Sequence, residues 1–185
     1  VAVDNITVGD VAAVNITVIA NATGNVTIEI GTEYKQTVGV VDGMINVIVP
    51  GLSAGNKTVK VTYNGDGRFM PSNAAANFTV EKATASVNVI VGDTTYGEEV
   101  PVTVFVNATG NVTIEVVGGF NRTIDILNGK AEDLIGGLNA GNYTLKVTYN
   151  GNDETSEETV EVKFEVAKAD PTITVEVKDI VYGDL

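Results

Sequence analysis

Ten asparagines in this chain stand two places before a threonine, with no proline between: Asn5, Asn15, Asn21, Asn25, Asn56, Asn77, Asn107, Asn111, Asn121 and Asn142. Asn-x-Thr is the acceptor pattern for N-linked sugar, which is joined to the amide nitrogen and needs a hydroxyl two residues on. Ser and Thr fill 26 of 185 positions, so about two or three of the 18 asparagines would meet that spacing by chance. An ordinary solvated strand face explains the supply of threonine, which favours strands. It does not explain why asparagine, a poor strand former, so often precedes it. Acceptor function is the expectation for these sites.

Other chemistry has little to stand on. The chain has no His and no Cys, and its four serines, Ser53, Ser72, Ser86 and Ser156, sit in no nucleophile motif. Glu98-Glu99, Glu132-Asp133 and Glu157-Glu158 would point to opposite sides of a strand, so they form no converging acid pair and are expected on a solvated surface. The expectation is a protein that is not an enzyme, with no cofactor and no metal site. Calcium is the one cation weighed. Asn64-Gly65-Asp66-Gly67 and Asn150 to Glu154 gather oxygen donors, and Asp93, Asp170 and Asp179 lie near repeat junctions. Tight-turn chemistry accounts better for the Asn-Gly pairs, and neither segment has the spaced ligands of a calcium loop. An internal Lys to Asn crosslink would need an inward lysine. Lys60, Lys146 and Lys163 are out of phase with their apolar neighbours, and Lys82 and Lys168 are in phase only at strand ends, where snorkelling is the ordinary outcome.

The elements that must carry these asparagines are strands. Val14-Asn15-Ile16-Thr17-Val18, Val26-Thr27-Ile28-Glu29-Ile30 and Val160 to Val166 alternate apolar with polar residues, the period of a half-buried strand. Turn residues separate such runs every eight to twelve positions, and no stretch holds a helical period for more than a turn. The pattern predicts an all-β chain of tandem immunoglobulin-like antiparallel β-sandwich domains, about seven strands each. Because Asn and Thr two apart share a sheet face, alternation also turns the acceptor amides away from Val and Ile.

The arrangement repeats at an offset of 86 residues. Asn21 to Glu29 returns unchanged as Asn107 to Glu115, and Lys60 to Gly65 as Lys146 to Gly151. A period this long is one small domain. The expected division is a first sandwich over 1–82, a second over 83–168, and the opening strand of a third copy in 169–185, where Thr172 to Val177 mirrors Ser86 to Val91 and Tyr182-Gly183-Asp184 mirrors Tyr96-Gly97-Glu98. Ala83-Thr84-Ala85 and Ala167 to Pro171 are too short to be flexible tethers, which predicts a semi-rigid rod.

Eleven basic against 24 acidic residues give a formal charge of −13, which opposes nucleic-acid and anionic-membrane partners. The apolar runs are a few residues long, so no membrane insertion is expected in this segment, and any secretion signal is expected outside it. With no Trp and six Tyr, mostly in the inward phase, the chain is poor in the exposed aromatics that sugar-binding faces use.

The run Leu138-Asn-Ala-Gly-Asn-Tyr-Thr-Leu-Lys-Val-Thr-Tyr-Asn-Gly-Asn-Asp153, with Val181-Tyr-Gly-Asp-Leu185, resembles the bacterial-type immunoglobulin-like repeats of large surface proteins, most of all the adhesin-like proteins of methanogenic archaea. The first repeat departs from it at Lys57, where the second has Tyr143, and at Val8-Gly9-Asp10-Val11. The resemblance implies a β-sandwich, an extracellular, cell-surface location and a glycosylated stalk or spacer role, with no catalytic residues to transfer. A strictly anaerobic surface would also account for a secreted chain without disulfides. The implied partners are N-linked glycans and further repeats of the same chain. Two other readings stay open: a carbohydrate-binding module, and a strand-complemented subunit of a filament or surface layer that self-associates through its terminal strand.

Overall fold

The computed structural model describes residues 1–177 and residue 182. All of its regular structure is β. The first repeat forms β1 (Ile6–Thr7), β2 (Ala12–Thr17), β3 (Asn25–Ile30), β4 (Tyr34–Gly39), β5 (Met44–Val49), β6 (Gly55–Tyr63) and β7 (Ser72–Glu81). A five-stranded sheet in the order β1-β7-β6-β3-β4 lies opposite the pair β2-β5. The second repeat forms β8 (Val87–Val91), β9 (Thr94–Thr95), β10 (Val100–Val106), β11 (Asn111–Val116), β12 (Asn121–Asp125), β13 (Lys130–Ile135), β14 (Gly141–Tyr149) and β15 (Glu158–Ala167). Its sheets run β12-β11-β14-β15-β9 and β13-β10-β8. The second repeat therefore has eight strands rather than about seven, because the short β9 and the full-length β8 both count. Pairing is antiparallel except where β1 joins β7 and β9 joins β15.

Alternation places the core. Val26, Ile28 and Ile30 of β3 and Val59, Val61 and Tyr63 of β6 meet Ala12, Val14 and Ile16 of β2 and Val47 and Val49 of β5. A separate cluster repeats this between Ala85 and Val166. Branched Val and Ile suit both the pleat and the narrow space between the sheets. Each core also buries a tyrosine whose hydroxyl must find an acceptor. Tyr63 donates to Thr23 O at 2.7 Å and Tyr149 to Thr109 O at 2.9 Å, tying the loop before β3 or β11 to the core.

The repeats are offset by 86 residues from this loop onward, but by 88 ahead of it. Val18 N donates to Gly43 O as Val106 N does to Gly129 O, and Gly9 and Gly97 share a φ of 97°. Two additional residues in the loop between β2 and β3 absorb the difference. The departure at Val8-Gly9-Asp10-Val11 is thus a shift of frame: Gly9 is the counterpart of Gly97, and only Val8 replaces a tyrosine, Tyr96.

At the junction, Ala83 bridges in parallel to Thr155: its N–H donates to Glu154 O at 2.9 Å and its carbonyl accepts from Ser156 N at 2.8 Å. Lys82 Nζ reaches Asn152 O, and Ala54 N reaches Glu154 Oε2 at 3.4 Å. Residues 168–177 belong to no strand, and Ile173, Val175 and Val177 are exposed. The Gly183-Asp184 half of the third-copy match, and Asp179, lie outside the described residues.

Candidate glycan-acceptor sites

Nine of the ten acceptor asparagines are exposed and Asn111 is half-buried. Their positions differ in kind. Asn56 on β6 and Asn77 on β7 lie on the outer face of the five-stranded sheet, and their two Asn-x-Thr units are cross-strand partners: Asn56 pairs with Thr79 and Thr58 with Asn77. Each threonine hydroxyl donates to the other unit's asparagine, Thr79 Oγ1 to Asn56 Oδ1 at 3.0 Å and Thr58 Oγ1 to Asn77 Oδ1 at 2.8 Å. Asn142 on β14 sits opposite Glu165, and Asn121 on β12 opposite Glu115. Asn15 is the one acceptor on the opposite sheet, where its Oδ1 accepts from Asn46 Nδ2 at 2.6 Å.

The remaining sites lie in or beside loops. Asn21 has a φ of 64°, a left-handed conformation that asparagine tolerates better than most residues. Its counterpart Asn107 instead accepts Ser86 N on Oδ1 at 2.7 Å. Asn25 and Asn111 open the central strands β3 and β11, and Asn111 Oδ1 accepts Asn150 Nδ2 at 2.6 Å. Asn5 Oδ1 accepts Thr79 N at 2.8 Å, and in the second repeat Asp93 Oδ1 does the same for Glu165 N at 2.8 Å. An aspartate serves at that position, so holding β7 explains the oxygen of Asn5 without reference to sugar.

The nitrogens separate more cleanly. Among the described residues no Nδ2 of the ten acceptors donates a hydrogen bond. Those of Asn46, Asn64, Asn150 and Asn152 do, and none of these four precedes a threonine by two places. Wherever an acceptor side chain is engaged, it is engaged through oxygen. The atom that would bear the glycan is left without a hydrogen bond among the described residues.

The oxygen-rich turns hold their own backbone. Asp66 Oδ2 accepts Thr23 N and Oγ1, and its Oδ1 accepts Arg68 N and Phe69 N. These donors, led by the Thr23 amide, hold its carboxyl far below the usual carboxylate range. Asn152 caps the equivalent turn, accepting Glu154 N and Thr155 N and donating to Thr109 O. Among the described residues no three acidic side chains converge.

Two charged side chains sit where alternation did not place them. Lys57, level with Phe78, is 13% exposed, and its ammonium meets Glu33 Oε1 at 2.6 Å and Ser53 Oγ at 2.8 Å. The Lys57 hydrogen bond, then Ser53, lowers the Glu33 pKa. At the same place Tyr143 stacks on Phe164 at 5.5 Å. Asp133, expected on a solvated surface, turns inward with 7% of its side chain exposed, level with Val102. Arg122 Nη1 meets its Oδ1 at 2.5 Å and Oδ2 has no partner. The sequence signal was the phase itself, since Asp133 stands 86 residues after the buried Val47.

No family model matches the chain, and no curated protein does. Solved structures do. A two-domain fibronectin type III segment from chicken tenascin is similar over 85% of this chain and 94% of its own, at 12% identity and a TM-score of 0.50. The fibronectin(III)-like modules of Clostridium thermocellum CbhA match over 96% of each chain at 15% identity and a TM-score of 0.40. The Yersinia pseudotuberculosis adhesin InvE matches over 89% of this chain and 58% of its own, at 14% identity and a TM-score of 0.44. At such identities the likeness shows the fold: a fibronectin III or immunoglobulin-like β-sandwich.

Proposed function

We propose that this chain is a stretch of an extracellular, cell-surface stalk: two sandwiches, 1–82 and 83–168, that space a functional tip from the surface, carry N-linked glycans and perform no catalysis. The observation that supports it best is the division of asparagine nitrogens. Ten that precede threonine by two are free, while the four that donate internally do not precede it. The spacer role rests on the junction, where a three-residue linker is hydrogen-bonded to the loop of the next repeat instead of hanging free. A sugar-binding role has less support, because Tyr63 and Tyr149 are core residues and Tyr143 stacks on Phe164. Intact-glycopeptide mass spectrometry of native protein tests the reading. Sugar is expected on Asn21, Asn25, Asn56, Asn107, Asn111 and Asn142, with partial occupancy where two acceptors stand four apart. All six unmodified would overturn it.

A further inference from the structure

Each sandwich leaves one strand of its smaller sheet with an open side, β5 in the first and β13 in the second. An open side offers unpaired N–H and C=O groups to any further strand, and charge is the usual bar to such pairing. β13 has that bar. Its sequence, Lys-Ala-Glu-Asp-Leu-Ile, carries three charges, and Asp133 Oδ1 accepts the amide of Leu134 at 2.9 Å. Arg122, on the edge strand β12 of the facing sheet, reaches the same carboxylate, and the acceptor Asn121 precedes it. β5 has none of this. It reads Met-Ile-Asn-Val-Ile-Val, Val47 stands in the place of Asp133, and neither β4 nor β5 carries an acceptor asparagine. Met44 and Ile48 are exposed.

The phase of the β2–β5 ladder shows which backbone groups are open. Val18 N donates to Gly43 O at 2.8 Å, so Ile16–Ile45 and Val14–Val47 are the hydrogen-bonded pairs, and Asn15–Asn46 and Ala13–Ile48 are not. The N–H and C=O of Asn46 and Ile48 therefore point away from β2, and among the described residues these groups have no hydrogen-bond partner. The open row is bounded on both sides. Met44 N is taken by Val41 O at 3.0 Å, and Pro50 has no N–H.

We propose that β5 pairs with β5 of a second copy of the chain, antiparallel about a two-fold axis at Val47. Asn46 then faces the partner's Ile48 and Ile48 the partner's Asn46, and reciprocal bonds use every open N–H and C=O of both strands. An axis at Asn46 would need Met44 N, which is occupied, and an axis at Ile48 would need the amide that Pro50 lacks. Val47 is the one centre that uses all the open groups and no others. Ile45 meets the partner's Val49 on the inner face and Met44 the partner's Pro50 on the outer one, so the added pairs are apolar and no charge is buried. The contact is isologous and closes at two copies, joining β2-β5 of each into one four-stranded sheet. Residues 44–50 lie in mid-chain and carry no acceptor, so the pairing rests on neither the glycans nor the spacer role.

Sedimentation equilibrium of the 185-residue chain up to about 1 mM tests this, a range that suits a small interface. A monomer–dimer equilibrium that stops at two is expected. Ile48→Pro should abolish it without unfolding the chain, because an edge strand tolerates proline where the N–H would face outward. Asn46→Lys combined with Ile48→Lys changes two exposed side chains, gathers like charges across the axis and should also give monomers, with an unchanged far-UV circular dichroism spectrum. Val47→Cys supplies a thiol to a chain that has none. Mild oxidation should crosslink it across the axis, where a pair that shares no hydrogen bonds brings Cα atoms to about 4.5 Å. Ile45→Cys, facing the partner's Val49, should crosslink far less. A parent that stays monomeric overturns the proposal, as do growth past the dimer, association that survives the double lysine change, and crosslinking that favours Ile45→Cys.

Discussion

Tyr149 shows how much one side chain holds in place. Burial raises its pKa, and its hydroxyl donates to Thr109 O at the edge of the core. Tyr149→Phe keeps the ring and leaves Thr109 O with only the Asn152 donor, so the second repeat should lose about 0.5–1 kcal/mol in denaturant titration, and Tyr63→Phe should cost the first repeat more, about 1–2 kcal/mol, since Tyr63 is the one side-chain donor to Thr23 O among the described residues. Asp66 adds a pH dependence that its counterpart Asn152 cannot. Its folded pKa is depressed, so its contribution is complete above the ordinary carboxylate pKa and declines as pH falls below about 4. Thermal melts from pH 6 down to pH 2 should show the first repeat losing more stability than the second, and Asp66→Asn should narrow that gap. An unchanged gap would mean that other carboxylates set it. The acceptor pattern itself was legible, because Asn-x-Thr is local. What each oxygen does was not: Asn5 bonds to Thr79 and Asn107 to Ser86 only once distant strands meet.

Strand identity was legible for the same local reason, and strand frame was not. Blocks identical over nine residues fix the offset of β3 and β11, but β2 reads equally well against β10 at 86 or 88, since both frames keep its alternation. Only the hydrogen bonds from Val18 and Val106 decide. Deleting Ile19 and Ala20 would give this loop the length of its counterpart after Val106. The fold should survive with a loss within about 1–2 kcal/mol, because loop length weighs little on stability. If β2 followed the ungapped frame, the deletion would drag the strand past β5 and unfold the first repeat. Inward charge was signalled only by phase, against the residue type, which argues for solvent. Asp133 and Lys57 occupy core-facing phases that alternation assigns to apolar residues; Glu33 and Ser53 engage the Lys57 ammonium, while Arg122 engages only Oδ1 of Asp133.

For the molecule as a whole, separate cores set the expected behaviour. Val61→Ala removes buried volume only from the first cluster and should cost it about 2 kcal/mol, leaving the melting of the second repeat where it was. Calorimetry should resolve two transitions, one of them moved. A single transition that shifts as a unit would show that the junction at Ala83 couples the repeats, which would remove the independent-unit division behind the spacer reading. The identity of the two central strands has another side. β3 and β11 both open with Asn-Val-Thr-Ile-Glu, and each pairs with a neighbour ending in Lys-Val-Thr-Tyr. Either strand therefore fits the other's slot with nearly native contacts, and a chain refolding from denaturant meets a swapped partner as readily as the right one. Synthesis from the amino terminus relieves this, since β3 is consumed before β11 leaves the ribosome. Refolding in a test tube should then be slower and less complete than folding during translation, and near-sameness between neighbours becomes a kinetic hazard that only the order of synthesis offsets.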